Sequence, residues 1–538
     1  MTFHHIPDHF DGVTPGRETP ALVIGAGVAG LTTALKLADS GDVTLVTAAP
    51  LGLEAATDWA QGGIAAAFAA EDGPEAHARD TMMAGAGLTD PEIARLVATE
   101  IRDGVLWLDR LGVPFDRNAA GDLALGLEAA HSARRIVKAG GDGTGHAVLE
   151  TLVKVARSHP RIMILERVVA ISLLTDDGGD VSGAFCREIG GESFAIAAKA
   201  TVLATGGLGA LFAKTTNPSG ATGSGLALAG RAGAVLRDME FVQFHPTAID
   251  IATSPGAPLP LATEALRGEG AVLLNTRGER FMADVPGREL APRDVVARAI
   301  FAERSKGETV TLDATHLGAS IATRFPTVTA LCRAHGIDPA TQAIPVAPAA
   351  HYHMGGIETD ALGRSSVPGL WAAGECASTG LHGANRLASN SLAEALVFGA
   401  RIAADIAGSK RTALPHRLSL AGATLRSPKE QDASEALFEV RTIMARDVGV
   451  CRDAEGLDRA IEALTPLAAR GFAVAEIGLL IARVAKAREE SRGGHFRTDF
   501  LREDEPVHSR ARLDTMPIGA EPLPAARRPA EPLPALSR

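Results

Sequence analysis

The stretch Ala21-Leu22-Val23-Ile24-Gly25-Ala26-Gly27-Val28-Ala29-Gly30 decides the fold of this chain. Its first four residues form an apolar run typical of a buried strand, and its glycines have the spacing GxGxxG. A helix is predicted next by apolar residues at helical spacing, namely Leu31, Ala34, Leu35 and Ala38. Gly41 ends that pattern, and Val43-Thr44-Leu45-Val46 predicts a second strand. This order of elements opens a βαβ unit.

Each glycine of the motif has a physical role in binding a dinucleotide. Gly25 permits a tight turn, Gly27 lets the backbone approach a pyrophosphate, and Gly30 lets the helix pack closely on the strand. The free N–H groups and the positive dipole end of the helix then face the phosphates. We therefore predict dinucleotide binding by Gly25, Ala26, Gly27, Val28, Ala29 and Gly30. A glycine-rich turn without a ligand is the alternative.

Two later features favour FAD over a nicotinamide dinucleotide. The second strand is followed by Thr47, where nicotinamide-binding folds carry an acid for the ribose. A threonine can bond a ribose hydroxyl, but it weakens the nicotinamide interpretation. The apolar run Gly369-Leu370-Trp371-Ala372-Ala373-Gly374-Glu375 ends in a glycine and an acid. The Glu375 carboxylate can bind a polyol chain, and FAD has one in its ribityl group.

A predicted helix start follows closely. Ser391-x-x-Glu394 has the capping-box pattern that opens a helix. We predict that the N-terminus of this helix, at Ser391 and Leu392, faces the flavin and stabilises the negative charge of its reduced form. Plain helix capping is the alternative role.

Length and composition exclude several classes of protein. A chain of 538 residues, 46% of them hydrophobic, is too long for one ordinary core and predicts several domains. The net charge of −11 and the aromatic content of 4% disfavour a nucleic-acid binder. The four cysteines are widely scattered, which disfavours a zinc ribbon or an iron–sulfur cluster and fits a reducing compartment. Without a signal-peptide pattern or a membrane-length apolar run, the expectation is a soluble cytoplasmic protein.

Periodicity along the chain predicts its domains. A doubly wound α/β FAD-binding domain of the Rossmann-like type is expected at 1–243 and 346–410. Irregular, arginine-rich loops with mixed strand and helix content predict an inserted α+β capping domain at 244–345. Helical periodicity predicts a C-terminal helical domain at 411–510. The repeated Ala-Glu-Pro-Leu-Pro-Ala predicts an extended or disordered tail at 511–538.

Several short motifs resemble the FAD domain of the succinate dehydrogenase/fumarate reductase flavoprotein family. They occur in the family's order, and together they are far more specific than GxGxxG alone. They are Ala60-Gln61-Gly62-Gly63-Ile64-Ala65-Ala66, Ala204-Thr205-Gly206-Gly207, Thr216-Asn217-Pro218, Phe244-His245-Pro246-Thr247, Thr263-Glu264-Ala265-Leu266-Arg267-Gly268-Glu269-Gly270, Ala350-His351-Tyr352-His353-Met354-Gly355-Gly356, Gly374-Glu375 and Ser491-Arg492-Gly493-Gly494-His495-Phe496-Arg497-Thr498-Asp499.

Within the family, two features resemble the branch that oxidises L-aspartate. Respiratory members attach FAD covalently through a histidine five residues before the QGG sequence, and counting back from Gln61 gives Ala56, which cannot form that bond. The stretch Leu127-Glu128-Ala129-Ala130-His131-Ser132-Ala133-Arg134-Arg135-Ile136 is similar to the E-G-G-H-S-x-R-R of that branch. The chain departs from the family at Ala129-Ala130, where glycines are usual, and at Ser224, where an acid is usual.

The resemblance implies non-covalent FAD, held by further residues beside the GxGxxG turn. These are Thr47, Gln61, Gly62, Gly63, Thr205, Gly206, Gly207, Glu375, Ser391 and Leu392. It also implies two clamps for a dicarboxylate, because two anionic ends need two sets of donors. His351 and Arg386 would hold one carboxylate, and His245 and Thr263 would hold the other. Glu128 would bind the substrate ammonium. Candidates for orienting these groups are Gln243 and Glu264.

Arg293 matches the family's proton-transfer arginine. It lies in Ala291-Pro292-Arg293-Asp294, where Pro292 fits the first position of a helix. The implied reaction oxidises L-aspartate to iminoaspartate, with O2 (giving H2O2) or fumarate as the electron acceptor. The product would feed quinolinate synthase in the biosynthesis of NAD. In fumarate reduction, Arg293 would donate the proton.

Several of these residues also have a plain structural interpretation. His245 fits a turn before a proline, Glu128 fits a surface acid, and Arg293 fits a first-turn ion pair. Arg134-Arg135 fits a solvated pair, and His131 fits a loop-positioning role. His351 and His353 share a strand face but have no third ligand nearby, so no metal site is expected. Residues 1–19, which include His4, His5 and His9, predict a loose solvated arm.

Two other functions remain open at this point. One is a soluble fumarate reductase or a succinate dehydrogenase-type flavoprotein subunit, because the dicarboxylate clamps are shared; Ala56 and the 127–136 stretch disfavour the respiratory subunit. The other is a flavin-binding structural protein without catalysis, which would predict bound FAD that substrate does not bleach.

Overall fold

The structure is a computed structural model and describes residues 16–253, 257–409, 414–415, 417–422, 430–513 and 520–522. Residues 1–15 of the predicted arm, including its three histidines, and most of the proline-rich tail lie outside the described residues. The prediction of a loose arm is wrong for its last residues, because the first strand already begins at Arg17.

The strands take their bounds from alternating or wholly apolar runs. In chain order they are β1 (Arg17–Ile24), β2 (Val43–Thr47), β3 (Ile64–Ala65), β4 (Leu125–Gly126), β5 (Ile136–Val137), β6 (Ile162–Glu166), β7 (Val168–Thr175), β8 (Val181–Glu188), β9 (Ser193–Leu203), β10 (Leu236–Arg237), β11 (Val242–Ile249), β12 (Val272–Asn275), β13 (Val310–Asp313), β14 (Ile344–His353), β15 (Gly356–Glu358), β16 (Leu370–Ala372), β17 (Ala377–Ser378), β18 (Ser419–Leu420), β19 (Val507–Ala511) and β20 (Ala520–Pro522).

The helices are given in chain order in the same way. They are α1 (Val28–Ala38), α2 (Pro74–Ala84), α3 (Pro91–Leu111), α4 (Thr144–Ser158), α5 (Ser224–Arg231), α6 (Glu264–Gly268), α7 (Arg293–Ser305), α8 (Ile321–Arg324), α9 (Pro326–Ala334), α10 (Asn390–Ala407), α11 (Glu430–Asp447), α12 (Ala454–Ala469) and α13 (Ala473–Ala487). None of the helices in the described ranges is long and apolar enough to cross a membrane.

The largest sheet confirms the predicted α/β class. Its strands lie in the order β18-β7-β8-β9-β1-β2-β6, and β16 also pairs with β9. The strands β6, β2, β1, β9 and β16 are parallel, with Leu22 paired to Thr44 on one side and to Thr201 on the other. The strands β7 and β8 extend the sheet in antiparallel fashion. Helices α1, α4 and α10 pack together beside the parallel part, so the strand ends and the helix N-termini meet at one edge.

A second antiparallel sheet, β11-β14-β13-β12, lies in the region predicted as the cap. Helices α6 to α9 surround it. The apolar side chains of this region form a core of their own, which runs from Ile249 to Val346 and includes Ile300 and Val328. We call the elements from β11 to β14 the cap. The domain bounds given from the sequence stay a prediction.

The C-terminal helices α11–α13 are attached in a different way. Val440, Leu457 and Ile477 belong to one continuous core with Leu22 and Leu203 of the large sheet. After these helices the chain returns to the large domain, where β19 pairs with β10. The helical pattern was therefore visible in the sequence, but the shared core was not.

Candidate active site

One cavity of about 770 Å³ lies where the carboxyl ends of β1, β2 and β9 face the cap. All but two of the sequence-predicted site residues line it. The exceptions are Gly30, which is covered by Gly25, and Gln243, which lies behind the arginines of the site. A volume of this order is typical of a site for a large organic ligand.

The glycine-rich turn forms the floor of the cavity. Helix α1 begins after Gly27, and its first N–H, that of Val28, donates to Thr57 Oγ1 at 3.1 Å. A Cβ on Gly25 would lie 2.1 Å from the carbonyl oxygen of Ala204, and one on Gly30 would lie 1.9 Å from that of Gly25. Glycine is therefore required at both positions for the helix to approach the strands.

Several buried polar groups lie in the cavity beside this turn. Thr205 Oγ1 and Gln61 Oε1 are buried and have no hydrogen-bond partner among the described residues. Glu375 accepts from the His353 N–H at 2.9 Å, and burial raises the pKa of its carboxyl to about 7. These groups fit the ribityl and ring edges of FAD, which offer donors and acceptors. Ala56 also lines the cavity and offers only a methyl group, which fits non-covalent binding.

Helix α10 points its N-terminus into the same cavity, with Ser391 and Leu392 in its first turn. The predicted capping box is wrong. The cap position is Ser389, and Ser391 instead accepts from Arg386 at 3.3 Å. The Glu394 carboxylate is bound elsewhere, because Thr379, Tyr352 and His382 surround it.

Arg386 is the buried cation at the centre of the site. Its guanidinium lies over the ring of Tyr352 at 4.4 Å from the centroid, and its Nη2 donates to Gln243 Oε1 at 3.2 Å. Burial and the nearby charge of Arg293 lower the pKa of Arg386 to about 10, so it is still protonated at neutral pH. Its Nε has no hydrogen-bond partner among the described residues. Such a cation fits a carboxylate ligand.

Arg293 stands opposite, at the start of cap helix α7. Pro292 is the cap residue rather than the first helical residue, one position from the expectation. Arg293 donates to Gln243 Oε1 at 3.0 Å and to Glu264 at 2.6 Å. The other oxygen of Glu264 lies 3.5 Å from the fully buried Arg267. Gln243 thus joins the two site arginines through one amide oxygen.

The two predicted site histidines face each other. The rings of His245 and His351 lie 5.0 Å apart, edge to face. Burial, followed by the charge of Arg293, holds the pKa of each well below the usual range, so both are neutral. Thr216 lies 2.8 Å from His351 Nδ1, and His245 Nε2 has no partner in the described part of the chain. Neutral rings with a free nitrogen can bond a carboxylate without adding charge.

Thr263 begins cap helix α6, and its side chain accepts from the Ala265 N–H at 3.4 Å. Thr263 and Glu264 therefore reach the cavity from the first turn of one short helix. Burial raises the pKa of the Glu264 carboxyl, but the charges of Arg293 and Arg267 outweigh this and lower it overall. Glu264 is thus an ionised carboxylate between two guanidinium groups.

Glu128 lines the same cavity, beside the loop Gln61-Gly62-Gly63. It is only 7% exposed, so the interpretation as a surface acid is wrong. Ser389 donates to Glu128 Oε2 at 2.7 Å, and the Gly63 N–H donates to the Ser389 hydroxyl at 3.2 Å. The structure therefore places an acid next to the Gln61-Gly62-Gly63 loop, in the cavity that the site arginines also line.

Sequence reasoning missed three groups and misjudged a fourth. The missed residues are Ser389, Arg267 and Tyr352; Arg267 and Tyr352 lie inside motifs quoted above, and Ser389 lies two residues before the predicted capping box. Arg135, expected to be solvated with Arg134, is fully buried, while Arg134 is exposed. Its partners are Asp72 and Asp80, far away in the sequence, so a local pattern could not reveal them. The described residues hold no cluster of three metal-ligating side chains.

Comparisons with known proteins agree with this geometry. The FAD binding domain family matches residues 21–392, and the fumarate reductase flavoprotein C-terminal family matches 472–516. An L-aspartate oxidase of Agrobacterium fabrum is 50% identical over 90% of this chain and 91% of its own length. One of Streptomyces coelicolor is 44% identical over 90% and 89%.

Solved structures of related flavoproteins share the fold. A mutant of the quinol fumarate reductase FrdA of E. coli is 29% identical with a TM-score of 0.84, covering 96% of this chain and 98% of that one. The Sdh1 of Mycobacterium smegmatis, in complex with UQ1, is 33% identical with a TM-score of 0.79, covering 93% of each chain.

Proposed function

This chain belongs to the succinate dehydrogenase/fumarate reductase flavoprotein family, among its L-aspartate oxidases, and we propose on that premise how its residues act on L-aspartate. The enzyme is an FAD-dependent oxidoreductase that converts L-aspartate to iminoaspartate. The observation that carries the assignment of the site is one cavity lined by the buried cation Arg386, by the largely buried cation Arg293 and by the buried acid Glu128. L-Aspartate has the complementary charges, two carboxylates and one ammonium.

The chain's own donors hold the two carboxylates. Arg386 and His351 bind one of them, with the free Nε of Arg386 available for a two-point contact. His245, through its free Nε2, and Thr263 bind the other. Gln243 fixes the positions of the Arg386 and Arg293 guanidinium groups relative to each other, because its amide oxygen accepts a hydrogen bond from both. The substrate is thereby fixed before any bond changes, which is the main contribution of positioning.

Bound FAD would supply the redox chemistry, as acceptor of the Cα hydride of the substrate and as donor of two electrons to O2, which gives H2O2, or to fumarate, which with protons gives succinate. Its dinucleotide part would be held by the glycine-rich turn and Thr47, and its ring by the loop at 61–63, residues 205–207, Glu375 and the N-terminus of α10. Glu128 binds the ammonium of aspartate and fixes which face of Cα is presented.

The cap supplies the proton route. In fumarate reduction a proton must reach the alkene carbon that does not receive hydride, and Arg293 is placed to donate it. Glu264, an ionised carboxylate in contact with both Arg293 and Arg267, would accept a proton from Arg267 and pass it to Arg293. The cap also covers the site, which excludes water and strengthens each electrostatic contact.

The first experiment follows the flavin directly. The purified holoenzyme is mixed with L-aspartate without oxygen, and the visible flavin absorbance is recorded; air is then admitted and peroxide is assayed. We expect bleaching, recovery and peroxide. Absence of bleaching by aspartate, with fumarate reoxidising the chemically reduced flavin, would instead show a soluble fumarate reductase.

A matched pair of variants tests the two ends of the site. Arg386→Leu should weaken aspartate and fumarate alike while FAD stays bound. Glu128→Gln should weaken aspartate much more than fumarate or succinate, because these lack an ammonium. An equal loss on all substrates would remove Glu128 from the amine site.

The binding mode of FAD has its own test. Acid precipitation should release the yellow cofactor into the supernatant, because Ala56 offers no bond to the ring. Flavin that stays with the pellet would contradict non-covalent binding.

We also propose that the protein works in the cytoplasm and supplies iminoaspartate to quinolinate synthase for NAD biosynthesis. All four cysteines are free thiols, which fits a reducing compartment. Iminoaspartate hydrolyses in water, so an enzyme that consumes it nearby would preserve the product. The yield of quinolinate can be compared when quinolinate synthase is present during aspartate oxidation and when it is added only after a delay. A lower yield after the delay would show how much iminoaspartate is lost to hydrolysis.

A further inference from the structure

The segment that carries Glu128 is anchored by a buried ion triad. Arg135 binds Asp72 through two parallel contacts, Nε–Oδ2 at 2.8 Å and Nη2–Oδ1 at 2.9 Å, and it also contacts Asp80. The side chains of Arg135 and Asp72 are fully buried. Asp80 in addition accepts from the N–H and the hydroxyl of Ser132, each at 2.8 Å. The triad therefore fixes both the backbone and the side chains of this segment to helix α2 and the residues before it.

A second contact ties the same segment to the start of α10. His131 Nε2 lies 3.0 Å from the carbonyl oxygen of Ala388, and His131 Nδ1 lies 3.1 Å from Arg135 Nη1. A carbonyl only accepts, so the ring proton is on Nε2 and Nδ1 accepts from the guanidinium. Arg135 thus selects the tautomer that holds the chain next to Ser389, whose hydroxyl donates to Glu128.

Backbone strain marks the place where the anchor acts. Ala130 has φ 65° and Ser389 has φ 61°, both in the left-handed region that disfavours side chains with a Cβ. Such conformations persist only where the surroundings enforce them. Ala130 lies two residues after Glu128, and Ser389 binds the Glu128 carboxylate, so both strained residues adjoin the same acid.

We propose that Arg135 is a positioning residue for substrate specificity: by anchoring residues 128–135 on Asp72 and Asp80, it holds Glu128 where an α-ammonium binds and so selects amino dicarboxylates. This inference rests on the proposed function of Glu128. Arg135 does not line the cavity and acts only through the segment.

The side-chain hydrogen bonds of the carboxylate clamps are made to residues outside this anchor, although His131 contacts the carbonyl of Ala388, two residues after Arg386. The described side-chain partners of Arg386, Arg293 and His351 are Gln243, Ser391, Glu264 and Thr216, none of which belongs to residues 128–135. Fumarate binding should therefore tolerate a change at Arg135 that aspartate binding does not. A merely structural role for Arg135 would affect both substrates.

Arg135→Lys tests the proposal, because lysine keeps the charge but cannot make the two parallel contacts with Asp72. The matched control is Arg401→Lys. Arg401 is also buried and forms an ion pair with Glu100, but it lies in the C-terminal half of α10 and does not line the cavity. For each holoenzyme, kcat and KM are measured for aspartate oxidation and for fumarate reduction. We expect Arg135→Lys to lower kcat/KM for aspartate about tenfold or more, largely through KM, with fumarate changed less than about threefold. Arg401→Lys should leave the ratio of the two unchanged.

A second variant keeps the test decisive if Arg135→Lys folds poorly. Asp72→Asn keeps the size of the side chain but removes the charge that pairs with Arg135, while Asp80 still contacts the guanidinium. It should stay folded and still lower kcat/KM for aspartate about threefold, with fumarate unchanged. Equal losses on both substrates in either variant, or no loss on aspartate in both, would overturn the role of Arg135. A wild-type enzyme that fails to oxidise aspartate would instead overturn the proposed function, so the two failures are distinguishable.

Discussion

The cap and the C-terminal helices are both appended to the flavin domain, but only the cap has a large apolar core of its own among the described residues. The cap buries its own apolar core between Ile249 and Val346. It meets the large domain through a few apolar side chains, such as Phe244 and Ala297, which join the core of the large sheet. It also makes polar contacts, among them those of Asp142, which accepts from the N–H groups of Thr327 and Val328 at 3.2 Å each. The helices α11–α13 have no separate core and complete the core of the large sheet.

The two regions also differ in how many of the predicted site residues they carry. The cap carries His245, Thr263, Glu264 and Arg293, whereas no predicted site residue lies on α11–α13. A part with its own core can move as a unit, while a part that shares a core holds its neighbours rigid. We therefore expect the cap to serve the chemistry and the helices to serve the stability of the flavin floor.

Arg293→Leu should give the largest effect. Loss of a positioned proton donor typically lowers rates by about 10²- to 10⁴-fold, and we expect a loss in that range in fumarate reduction. FAD content should stay near that of the wild type, whereas the melting temperature should fall, because the buried Glu264 loses one of its two guanidinium partners. Turnover with fumarate measures the effect.

The control for that variant is Arg298→Leu, five residues further along α7. Arg298 contacts Asp294 and the carbonyl of Gly493 rather than the cavity. It should keep most of the activity. Full turnover in Arg293→Leu would remove that residue as the proton donor.

The next largest effect is expected from truncating one buried isoleucine in each region. Ile300 in the cap and Ile477 in α13 are both fully buried, and their replacement by alanine should each cost about 2–5 kcal/mol of stability. Ile477→Ala should lower the temperature at which FAD fluorescence appears on heating, because Ile477 packs near Gly223, at the turn before α5. Ile300→Ala should leave FAD release nearly unchanged. Equal effects on FAD release would show that the two regions are coupled alike.

Lowering the pH should destabilise the strands of the cap more than helices α11–α13. Helices α11–α13 contain no histidine, whereas β11 and β14 contain His245, His351 and His353. Burial lowers the pKa of His353 to about 4, below its usual value of 6.5. Above pH 6.5 the ring is neutral in both the folded and the unfolded state. Between pH 6.5 and 4 only the unfolded state binds the proton, so the free energy of unfolding falls as pH falls, by up to about 1.4 kcal/mol per pH unit for this histidine.

Unfolding measured in denaturant at several pH values shows this slope. His353→Gln should reduce the slope in that range. A variant with the slope of the wild type would show that His353 is not responsible.

The smallest expected effect concerns the junction itself. Helix α9 has no side-chain cap of its own, and Asp142 of the large domain supplies one. Asp142→Ala should cost about 1 kcal/mol, the usual value of an N-cap. Hydrogen exchange of α9 should become faster, while that of α11–α13 should not change. Uniform acceleration in both regions would contradict the idea of a separately attached cap.

The sequence predicted most of what depends on short-range pattern. The βαβ opening, the cofactor class and the family are confirmed, because GxGxxG, QGG and the other motifs are contiguous. The residue-level roles stay predictions, although all but Gly30 and Gln243 of the named side chains line one cavity.

What the sequence could not predict depends on distant partners. The capping box failed because the Glu394 carboxylate is taken by Tyr352, Thr379 and His382. The burial of Arg135 depends on Asp72 and Asp80, more than fifty residues before it. A shared core for α11–α13 depends on strands at the other end of the chain, which helical periodicity does not encode.

Tyr352, which lies beneath the Arg386 guanidinium, is the only tyrosine in the chain. A fluorotyrosine incorporated during growth would therefore give one fluorine resonance, and it would need no assignment. The charge of Arg386 lies 4.4 Å from the ring centre, so neutralising that charge with a bound carboxylate should shift the resonance. Titrating the dicarboxylates while observing this signal would report occupancy of the clamp even with substrates that do not react.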